Sequence, residues 1–190
     1  MNDAELMNST ILGIGETHLH EGEEIHLNGF DGHFANAGKG KGVAAFSKIG
    51  ILNVTNILQP TFSAIVLELE NLKIIFAYLS NPAMHEIDVL TPLLSDKTKP
   101  MILMGDMNFH FSERQHPLKT YFEKCGFRYQ MIKKITHDEG HILDHIYSDF
   151  YIIDENVHQK PLYFSDHDAI SLCITNDVRL ERSLNKLTLE

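Results

Sequence analysis

The chain has 190 residues, of which 43% are apolar, enough for one domain with a sizeable core but too little for two ordinary domains. No apolar run approaches the roughly 18 residues of a membrane span, and the polar opening MNDAELMNST is unlike a secretory signal. The formal net charge of −10 argues against binding of nucleic acid mainly through Lys and Arg, so phosphate would be met by metal ions and local hydrogen-bond donors, or not at all. Cys125 and Cys173 are far apart and predict reduced, packed thiols, although one disulfide stays open as an alternative. We therefore expect an intracellular protein that is not secreted and has no contact with a membrane.

Short apolar runs alternate with polar or Gly-containing breaks, which predicts a single strand-rich domain of the α/β or α+β class. The Gly/Lys loop that begins at residue 38 leads into a strand or hairpin ending near 52. An antiparallel pair is predicted for 63–69 and 73–79, with its turn centred on ENL. The other predicted strands are 11–16, 101–106, 143–148, 151–158 and 169–175.

Two helices are predicted between these strands. The first covers 85–96 and is kinked or divided by Pro92, which cannot donate a backbone hydrogen bond. The second covers 112–126 and ends at Gly126, a typical residue after a helix C-terminus. We expect residues 1–176 to form the domain, with 177–190 as a C-terminal tail that is a short helix or a frayed end.

Polar side chains interrupt four apolar runs at their ends. They are Glu16 after ILGIG, Asp106 and Asn108 after MILMG, Asp144 at the start of DHIYS, and Asp166 with His167 before the last strand. Any one acid is consistent with a turn residue or a helix N-cap. Together they supply carboxylates for a hard cation such as Mg²⁺, a base for water and a donor for phosphate. The pattern predicts a site for hydrolysis of phosphate esters.

Six blocks, GETHL, GKGKGVAAF, IFAYLSNP, GDMN, LDHI and SDHD, occur in this order over about residues 11–175. They resemble the endonuclease/exonuclease/phosphatase superfamily with the DNase I-like fold. The stretches THDEGHILDHIYSDF and VHQKPLYFSDHDAI particularly resemble endonuclease domains of retrotransposons and transposon-associated helicases. The resemblance implies an α/β fold, a four-layer α-β-β-α sandwich, with the site at one end of two packed sheets.

For the water and the metal, the resemblance implies roles for four residues. Asp106 would orient or deprotonate the attacking water, and Asn108 would bind phosphate and fix that acid. Glu16 would be a metal ligand, and Asp166 would lie close to the same Mg²⁺ or Mn²⁺.

For the phosphate, the resemblance implies three contacts and one supporting carboxylate. Tyr78 and Asn81 would contact the scissile phosphate. His167 would bind or protonate the phosphate, and Asp144 would orient its imidazole, as carboxylates do for catalytic histidines.

The function implied is a divalent-metal-dependent phosphodiester hydrolase, with a DNA endonuclease of mobile-element type favoured, leaving 5′-phosphate and 3′-hydroxyl ends. Two alternatives stay open. The acidic charge favours a phosphatase or exonuclease that acts on small phosphoesters or RNA ends, because a small substrate needs no basic track. A shortened, catalytically impaired domain kept for binding is the other.

Two departures from the family pattern bear on these alternatives. The first strand of the family fold, which ends in an Asn near the metal, is missing before residue 11, and MNDAELMNST looks like the remnant of the helix that follows it. We expect a fragment of a longer protein, a natural shortening, or a strand supplied by a second segment or by another protomer of a homo-oligomer. The YLSNPAMHE region also lacks an arginine typical of abasic-site enzymes, which argues against that activity.

Several other residues near the blocks are weaker candidates. Lys39 and Lys41 either touch a DNA backbone or belong to a solvated turn. We expect surface placement for His18, His20, His110 and His145, of which His110 could reach phosphate. His137 and His141 are expected to support the loop before Asp144. Phe109 and Phe111 are expected to pack in the core.

Overall fold

The computed structural model describes residues 4–80, 84–110, 116–130, 132, 134–152, 156–162 and 165–174. The helices are α1 (Ala4–Asn8), α2 (Met84–Ile87), α3 (Thr91–Ser95) and α4 (Pro117–Lys124), with a 3-10 helix (Asp88–Leu90) between α2 and α3. The strands are β1 (Ile11–Gly15), β2 (Asp31–Ala35), β3 (Val43–Ser47), β4 (Asn53–Leu58), β5 (Phe62–Glu68), β6 (Lys73–Leu79), β7 (Met101–Asp106), β8 (Arg128–Gln130), β9 (Asp144–Ser148), β10 (Val157–Lys160) and β11 (Ala169–Leu172). None of the described helices is long and apolar enough to cross a membrane.

The strands form one large sheet and two small ones. The six-stranded sheet has the order β4-β5-β6-β7-β9-β8, and β6 with β7 is its one parallel pair. The three-stranded sheet has the order β1-β3-β2, and β10 with β11 forms a two-stranded sheet. Within the described part of the chain, β1 pairs only with β3, so its other edge carries no strand.

The middle strands of the large sheet are apolar on both faces because both faces are covered. On β6, Ile75, Ala77 and Leu79 pack against α2, α3 and α4. The alternate residues Ile74, Phe76 and Tyr78 pack against the three-stranded sheet. Since successive side chains of a strand point to opposite faces, one apolar run serves two cores. Tyr78 is the last residue of this second set, at the end of the layer between the sheets.

A third core cluster seats the two-stranded sheet. Ile170 and Leu172 of β11 pack against Ile102 of β7 and Ile146 of β9. This packing brings the segment before β11, which contains Asp166 and His167, to the end of β9.

The predicted α/β sandwich of two packed sheets is confirmed, and so is the antiparallel pair β5–β6 around ENL. The predicted division at Pro92 is also confirmed, because the chain forms two short helices there, with Pro92 in the first turn of α3. Pro lacks the backbone N–H that an uninterrupted helix would need at that position.

Other predicted boundaries were wrong. The helix expected over 112–126 begins only at Pro117 in the described residues, and 111–115 lie outside them. The strand expected over 151–158 is replaced by β10, which starts at Val157, while 153–155 are outside the described residues. Three strands, β2, β4 and β8, were not predicted, because their sequences DGHFA, NVTNIL and RYQ have no clear alternation and depend on pairing with stronger neighbours. The predicted tail, 177–190, lies outside the described residues.

Candidate active site

Three neighbouring strands carry a polar residue at the same level, at a strand terminus or one residue from it. Tyr78 on β6 is the register partner of Asp106 on β7, and Asp106 is the partner of Asp144 on β9. Partners on adjacent strands project to the same face of a sheet, about 5 Å apart. Tyr78 packs in the layer between the two sheets, so this face is the one turned toward the three-stranded sheet.

Gly105 lets β7 lie close to β6 just before Asp106. Its φ is 138°, and a Cβ at this position would lie 2.0 Å from the carbonyl oxygen of Ala77. No residue with a side chain fits there without moving the neighbouring backbone. The glycine of MILMGD therefore places Asp106 beside Tyr78.

Asp106 and Asn108 form a compact turn at the end of β7. The backbone N–H of Asn108 donates to Asp106 Oδ1 at 2.8 Å, and the Asn108 amide donates to Oδ2 at 3.1 Å. Asn108 has a φ of 52°, a conformation that Asn tolerates better than most residues. Burial, followed by the charge of Asp144, raises the pKa of Asp106 to about 6, against the hydrogen bond from Asn108 and the opposite charge of His167. A carboxylate with this pKa is suited to accept a proton near neutral pH.

Tyr78 links Asp106 to the three-stranded sheet. Burial, then the negative charges of Glu16 and Asp106, raise the pKa of its phenol to about 12. The side chains of Asn108 and Glu16 also influence the pKa of this phenol. Tyr78 is therefore a neutral hydrogen-bond donor at neutral pH, placed between the ends of β1 and β7.

Glu16 lies directly after β1, in a loop that is paired with the Gly/Lys loop. Thr17 N donates to the carbonyl of Gly42, and His18 N donates to that of Lys41. The His18 ring is fixed by Gly40 N, which donates to Nδ1 at 2.9 Å, and its Nε2 lies 3.7 Å from Glu16 Oε1. The Gly/Lys loop therefore supports the exposed carboxylate of Glu16.

The two lysines of this loop differ in their surroundings. Lys41 Nζ donates to the carbonyl of Pro60, which holds its ammonium on the protein surface. Lys39 is exposed. Of these two lysines, only Lys39 has the exposed position that contact with a DNA backbone would require.

Asp144 and His167 form a hydrogen-bonded pair. Asp144 Oδ2 lies 2.8 Å from His167 Nδ1. This bond, outweighing the opposing effect of burial, raises the pKa of His167 to about 9, with further contributions from the charges of Asp144, Asp106 and Asp166. His167 is therefore an imidazolium at neutral pH, held by a carboxylate next to Asp106.

Asp166 has an exposed side chain on the same segment. Its backbone carbonyl accepts a hydrogen bond from Asp138 N, and its Oδ2 lies 3.5 Å from His137 Nε2. Donor atoms of His137, Asp166 and His167 all lie within 4.8 Å of one another, close enough to surround a metal ion.

The two histidines of this group fit a metal poorly. His137 Nδ1 accepts a hydrogen bond from Glu139 N at 3.1 Å, so a neutral ring carries its proton on Nε2, the atom that faces Asp166. The pKa of His167 favours its charged form, whereas a ligating imidazole must be neutral.

The carboxylates fit a divalent cation better. Besides burial, which is the largest cause, the charges of Asp144 and Glu16 raise the pKa of Asp106 in spite of the opposite charge of His167, so negative charge is in excess at this end of the sheets. Oxygen ligands of this kind suit Mg²⁺ or Mn²⁺. A cation would relieve the repulsion among these acids.

The remaining candidates are placed as follows. Asn81 and Phe111 lie outside the described residues, and Phe109 is buried, as expected for packing. His18 and His20 are exposed as expected, and His110 is half-buried, with Ile142 N donating to its Nδ1. Both cysteines are free thiols, as expected, but Cys173 is exposed rather than packed.

The expectation for His145 was wrong. Its side chain is fully buried, with Nδ1 3.1 Å from the Tyr147 hydroxyl and Nε2 3.2 Å from the Ile142 carbonyl, and burial lowers its pKa to about 4. A histidine next to the polar Asp144 was expected at the surface, but strand alternation turns it to the other face of the sheet.

His137 and His141 support the loop before Asp144, as expected. His137 N donates to the carbonyl of His141, and His137 also forms an isolated bridge to His167. Sequence reasoning missed the neighbouring Thr136, which is 1% exposed and whose hydroxyl accepts hydrogen bonds from the backbone at Leu143 and Asp144. A lone Thr in a polar run gives no sequence signal for this role.

Comparisons with known proteins agree with this architecture. The family model described as "Endonuclease/Exonuclease/phosphatase family" matches residues 3–167. A search of curated proteins found no match.

Three solved structures illustrate the similarity of fold. The 3′ phosphatase NExo from Neisseria, bound to a product DNA hairpin, has a TM-score of 0.68 and 15% identity over 90% of this chain and 92% of its own. The cytolethal distending toxin of Haemophilus ducreyi has a TM-score of 0.60 and 12% identity over 86% and 84%. The endonuclease domain of TRAS1, a telomere-specific non-LTR retrotransposon, has a TM-score of 0.57 and 13% identity over 88% and 86%. The three structures show the same fold, and the match of the family model shows that the chain belongs to the endonuclease/exonuclease/phosphatase family and is a metal-dependent hydrolase of phosphodiester bonds.

Proposed function

We propose that this protein is a DNA endonuclease of mobile-element type, which uses Mg²⁺ or Mn²⁺ and leaves 5′-phosphate and 3′-hydroxyl ends. The observation that carries the proposal is the register of Tyr78, Asp106 and Asp144 at three adjacent strand ends, with His167 bonded to Asp144. Support for the substrate comes from similar structures, one an endonuclease domain of a retrotransposon and one bound to product DNA.

In this proposal Asp106 takes the proton of the attacking water. Its raised pKa lets it accept a proton near neutral pH, and the two hydrogen bonds from Asn108 hold its carboxylate in one orientation. Asn108 also offers its amide to the phosphate. Such a base commonly contributes ~10²–10⁴-fold to the rate.

The phosphate contacts come from the other strand ends. His167, charged and held by Asp144, stabilises or protonates a phosphate oxygen. The neutral phenol of Tyr78 donates to the same phosphate, and Asn81 contributes a further contact. When bound by Glu16 and Asp166, a divalent cation would neutralise charge on the phosphoryl oxygen and the leaving alkoxide.

The first experiment is nicking of supercoiled plasmid in Mg²⁺, in Mn²⁺ and in EDTA. We expect metal-dependent nicking that is lost in Asp106→Asn and in His167→Ala. Asp168→Asn is the matched control, because the Asp168 carboxylate bonds to Gln159 instead of His167. Full nicking by both site variants would contradict the mechanism.

Binding of the cation is tested separately, by calorimetric titration of the metal-free protein with Mg²⁺. Glu16→Gln should weaken the binding about 10-fold or more, and Glu24→Gln, a change of an exposed acid in the following loop, should leave it unchanged. A folded protein that neither binds Mg²⁺ nor nicks DNA would favour a catalytically impaired domain kept for binding.

A second candidate function is a phosphatase or exonuclease that acts on small phosphoesters or RNA ends. It is favoured by the acidic rim of the site, where Asp138, Glu139 and Asp166 are exposed, and by the net charge of −10. Salt separates the two functions, because duplex binding weakens steeply as salt rises and turnover of a small substrate barely changes.

One edge of β1 carries no strand among the described residues, which leads to a proposal about a partner. Leu12 and Ile14 are only partly buried there, and unpaired strand edges readily take up another strand. We propose that a second segment or a second copy of the chain supplies this strand. Light scattering would show a dimer in the second case, and Ile14→Lys should then shift the protein to a monomer.

A further inference from the structure

Thr136 connects the two chain segments that carry Asp144 and His167. Its hydroxyl oxygen accepts hydrogen bonds from Leu143 N at 3.0 Å and from Asp144 N at 3.2 Å. Its carbonyl accepts a hydrogen bond from Asp168 N at 2.8 Å, and its own N–H donates to the carbonyl of His141 at 2.9 Å. One residue therefore contacts the backbone of Asp144 on one side and the backbone next to His167 on the other.

The neighbours of Thr136 repeat this arrangement. His137 forms an isolated bridge to His167, and Asp138 N donates to the carbonyl of Asp166 at 3.0 Å. Residues 136–138 thus run beside 166–168 as a short strip of backbone pairing. Among the described contacts of this strip, only the side chain of Thr136 also reaches the start of β9, at Asp144 and the preceding Leu143.

Burial makes this hydroxyl hard to replace. Thr136 is 1% exposed, and the N–H groups of Leu143 and Asp144 share its single oxygen. Buried backbone donors without an acceptor are costly, so without the hydroxyl the start of β9 would shift toward other partners or water. A shift there would lengthen the 2.8 Å contact between Asp144 Oδ2 and His167 Nδ1.

We propose that Thr136 is a positioning residue, whose hydroxyl fixes the backbone of Asp144 so that its carboxylate meets His167. The proposal rests on the proposed function for its effect on catalysis, since the Asp144–His167 pair acts on phosphate there. Thr136 itself touches neither phosphate nor water in this scheme. Small displacements of such a pair are expensive, because ~1 Å of misplacement can cost about 10²-fold in rate.

The test compares the wild-type threonine with three substitutions that separate the effect of the hydroxyl from the effect of side-chain size. Thr136→Val replaces the oxygen by a methyl group, Thr136→Ser keeps the oxygen and removes the methyl group, and Thr136→Ala removes both. We expect kcat to fall about 10- to 100-fold in the Val and Ala variants, with KM within about 3-fold, and Ser to restore most of kcat. A kcat that follows side-chain size, with Val near the wild type and Ser near Ala, would overturn the proposal.

A second readout does not depend on activity. In the metal-free protein, the imidazole Nδ1–H proton of His167, identified by its loss in His167→Gln, should resonate downfield because of its bond to Asp144. We expect the signal to keep its position in the Ser variant and to shift or disappear in the Val and Ala variants. An unchanged signal in both the Val and the Ala variant, measured on protein that unfolds in a single thermal transition, would overturn the positioning role. A wild-type protein that hydrolyses no phosphodiester would overturn only the proposed function.

Discussion

Asp106 and Asp144 are register partners on adjacent strands, yet their surroundings differ. Asp144 is bonded to the imidazolium of His167, whereas burial and the charge of Asp144 raise the pKa of Asp106 to about 6. In enzymes, two neighbouring carboxylates often take different roles in proton transfer because their environments move their pKa values apart. In this arrangement Asp106 is the acid that exchanges a proton near neutral pH.

Asp106→Asn should abolish activity and still stabilise the metal-free protein. The folded-state pKa of Asp106 lies above its unfolded value near 3.8, so this carboxylate costs stability as pH rises through about 6, on the order of 3 kcal/mol at pH 8. Asparagine at this position has no charge to bury, although it accepts the hydrogen bond from the Asn108 amide less well than a carboxylate does. Urea unfolding at pH 8 in EDTA should show a variant that is at least as stable as the wild type.

The control for this prediction is the same measurement at pH 4.5. There the wild-type carboxyl is largely protonated in the folded state, so the advantage of the variant should shrink. The quantity to compare is the stability of the variant minus that of the wild type. If this difference were smaller at pH 8 than at pH 4.5, the assigned environment of Asp106 would be contradicted.

Asp144 and His167 should act as one unit. We expect Asp144→Asn and His167→Gln each to lower kcat about 10²- to 10⁴-fold, and the double variant to be little worse than either single one, because each change already breaks the pair. The measurement is a double-mutant cycle on kcat. Asp168→Asn, whose carboxylate bonds to Gln159, should change kcat less than about 3-fold. Additive losses in the cycle would show that the two residues work independently.

The sequence allowed the candidate positions Asp106 and Asp144 to be singled out because each lies at one end of an apolar strand. Asp106 and Asp144 stand out for this reason, and family blocks order the strands that bring them together. Sequence could not place His145, since its burial depends on which face of β9 meets Phe109 and Tyr129. It also could not reveal Thr136, because its partners are backbone groups seven and eight residues away.

The same limit applies to the weak strands. The β2 segment DGHFA has little strand propensity, and it forms an edge of the three-stranded sheet because β3 offers it a ladder of backbone partners. Pairing between distant segments decides such elements. Local patterns decide β5 and β6, whose apolar runs are long and bounded by a turn.

Gly105→Ala should be among the most destabilising single changes in the protein. The added Cβ would lie 2.0 Å from the Ala77 carbonyl oxygen, and the φ of 138° is itself unfavourable for alanine. We expect a loss of about 4 kcal/mol or more in the free energy of unfolding, together with loss of activity, because β7 must move away from β6. Gly29→Ala is the matched control, since its φ is 81° and nothing lies within 4 Å of the added atom. The control should lose about 1 kcal/mol in the free energy of unfolding. An equal loss at both positions would mean that the positive φ, and not the contact with Ala77, causes the destabilisation.

Buried His145 should make the fold sensitive to acid. Burial lowers its pKa to about 4, below its value near 6.5 in an unfolded chain, so the unfolded state binds the extra proton first. Its ring contacts include Phe109, Tyr129 and Tyr147, which carry no negative charge, and the charge of Asp144 only partly opposes the effect of burial on its pKa.

Burial of neutral His145 leaves the free energy of unfolding unaffected above about pH 6.5. As the pH falls from 6.5 to 4, protonation of the unfolded state lowers this free energy by about 3 kcal/mol. The free energy of unfolding, measured by urea from pH 7.5 to 4, should therefore fall less steeply in His145→Gln than in the wild type. His26→Gln, a change of an exposed histidine, should keep the wild-type slope. Equal slopes in all three proteins would mean that His145 gains its proton without unfolding, which its burial between β8, β9 and the segment after β7 should prevent.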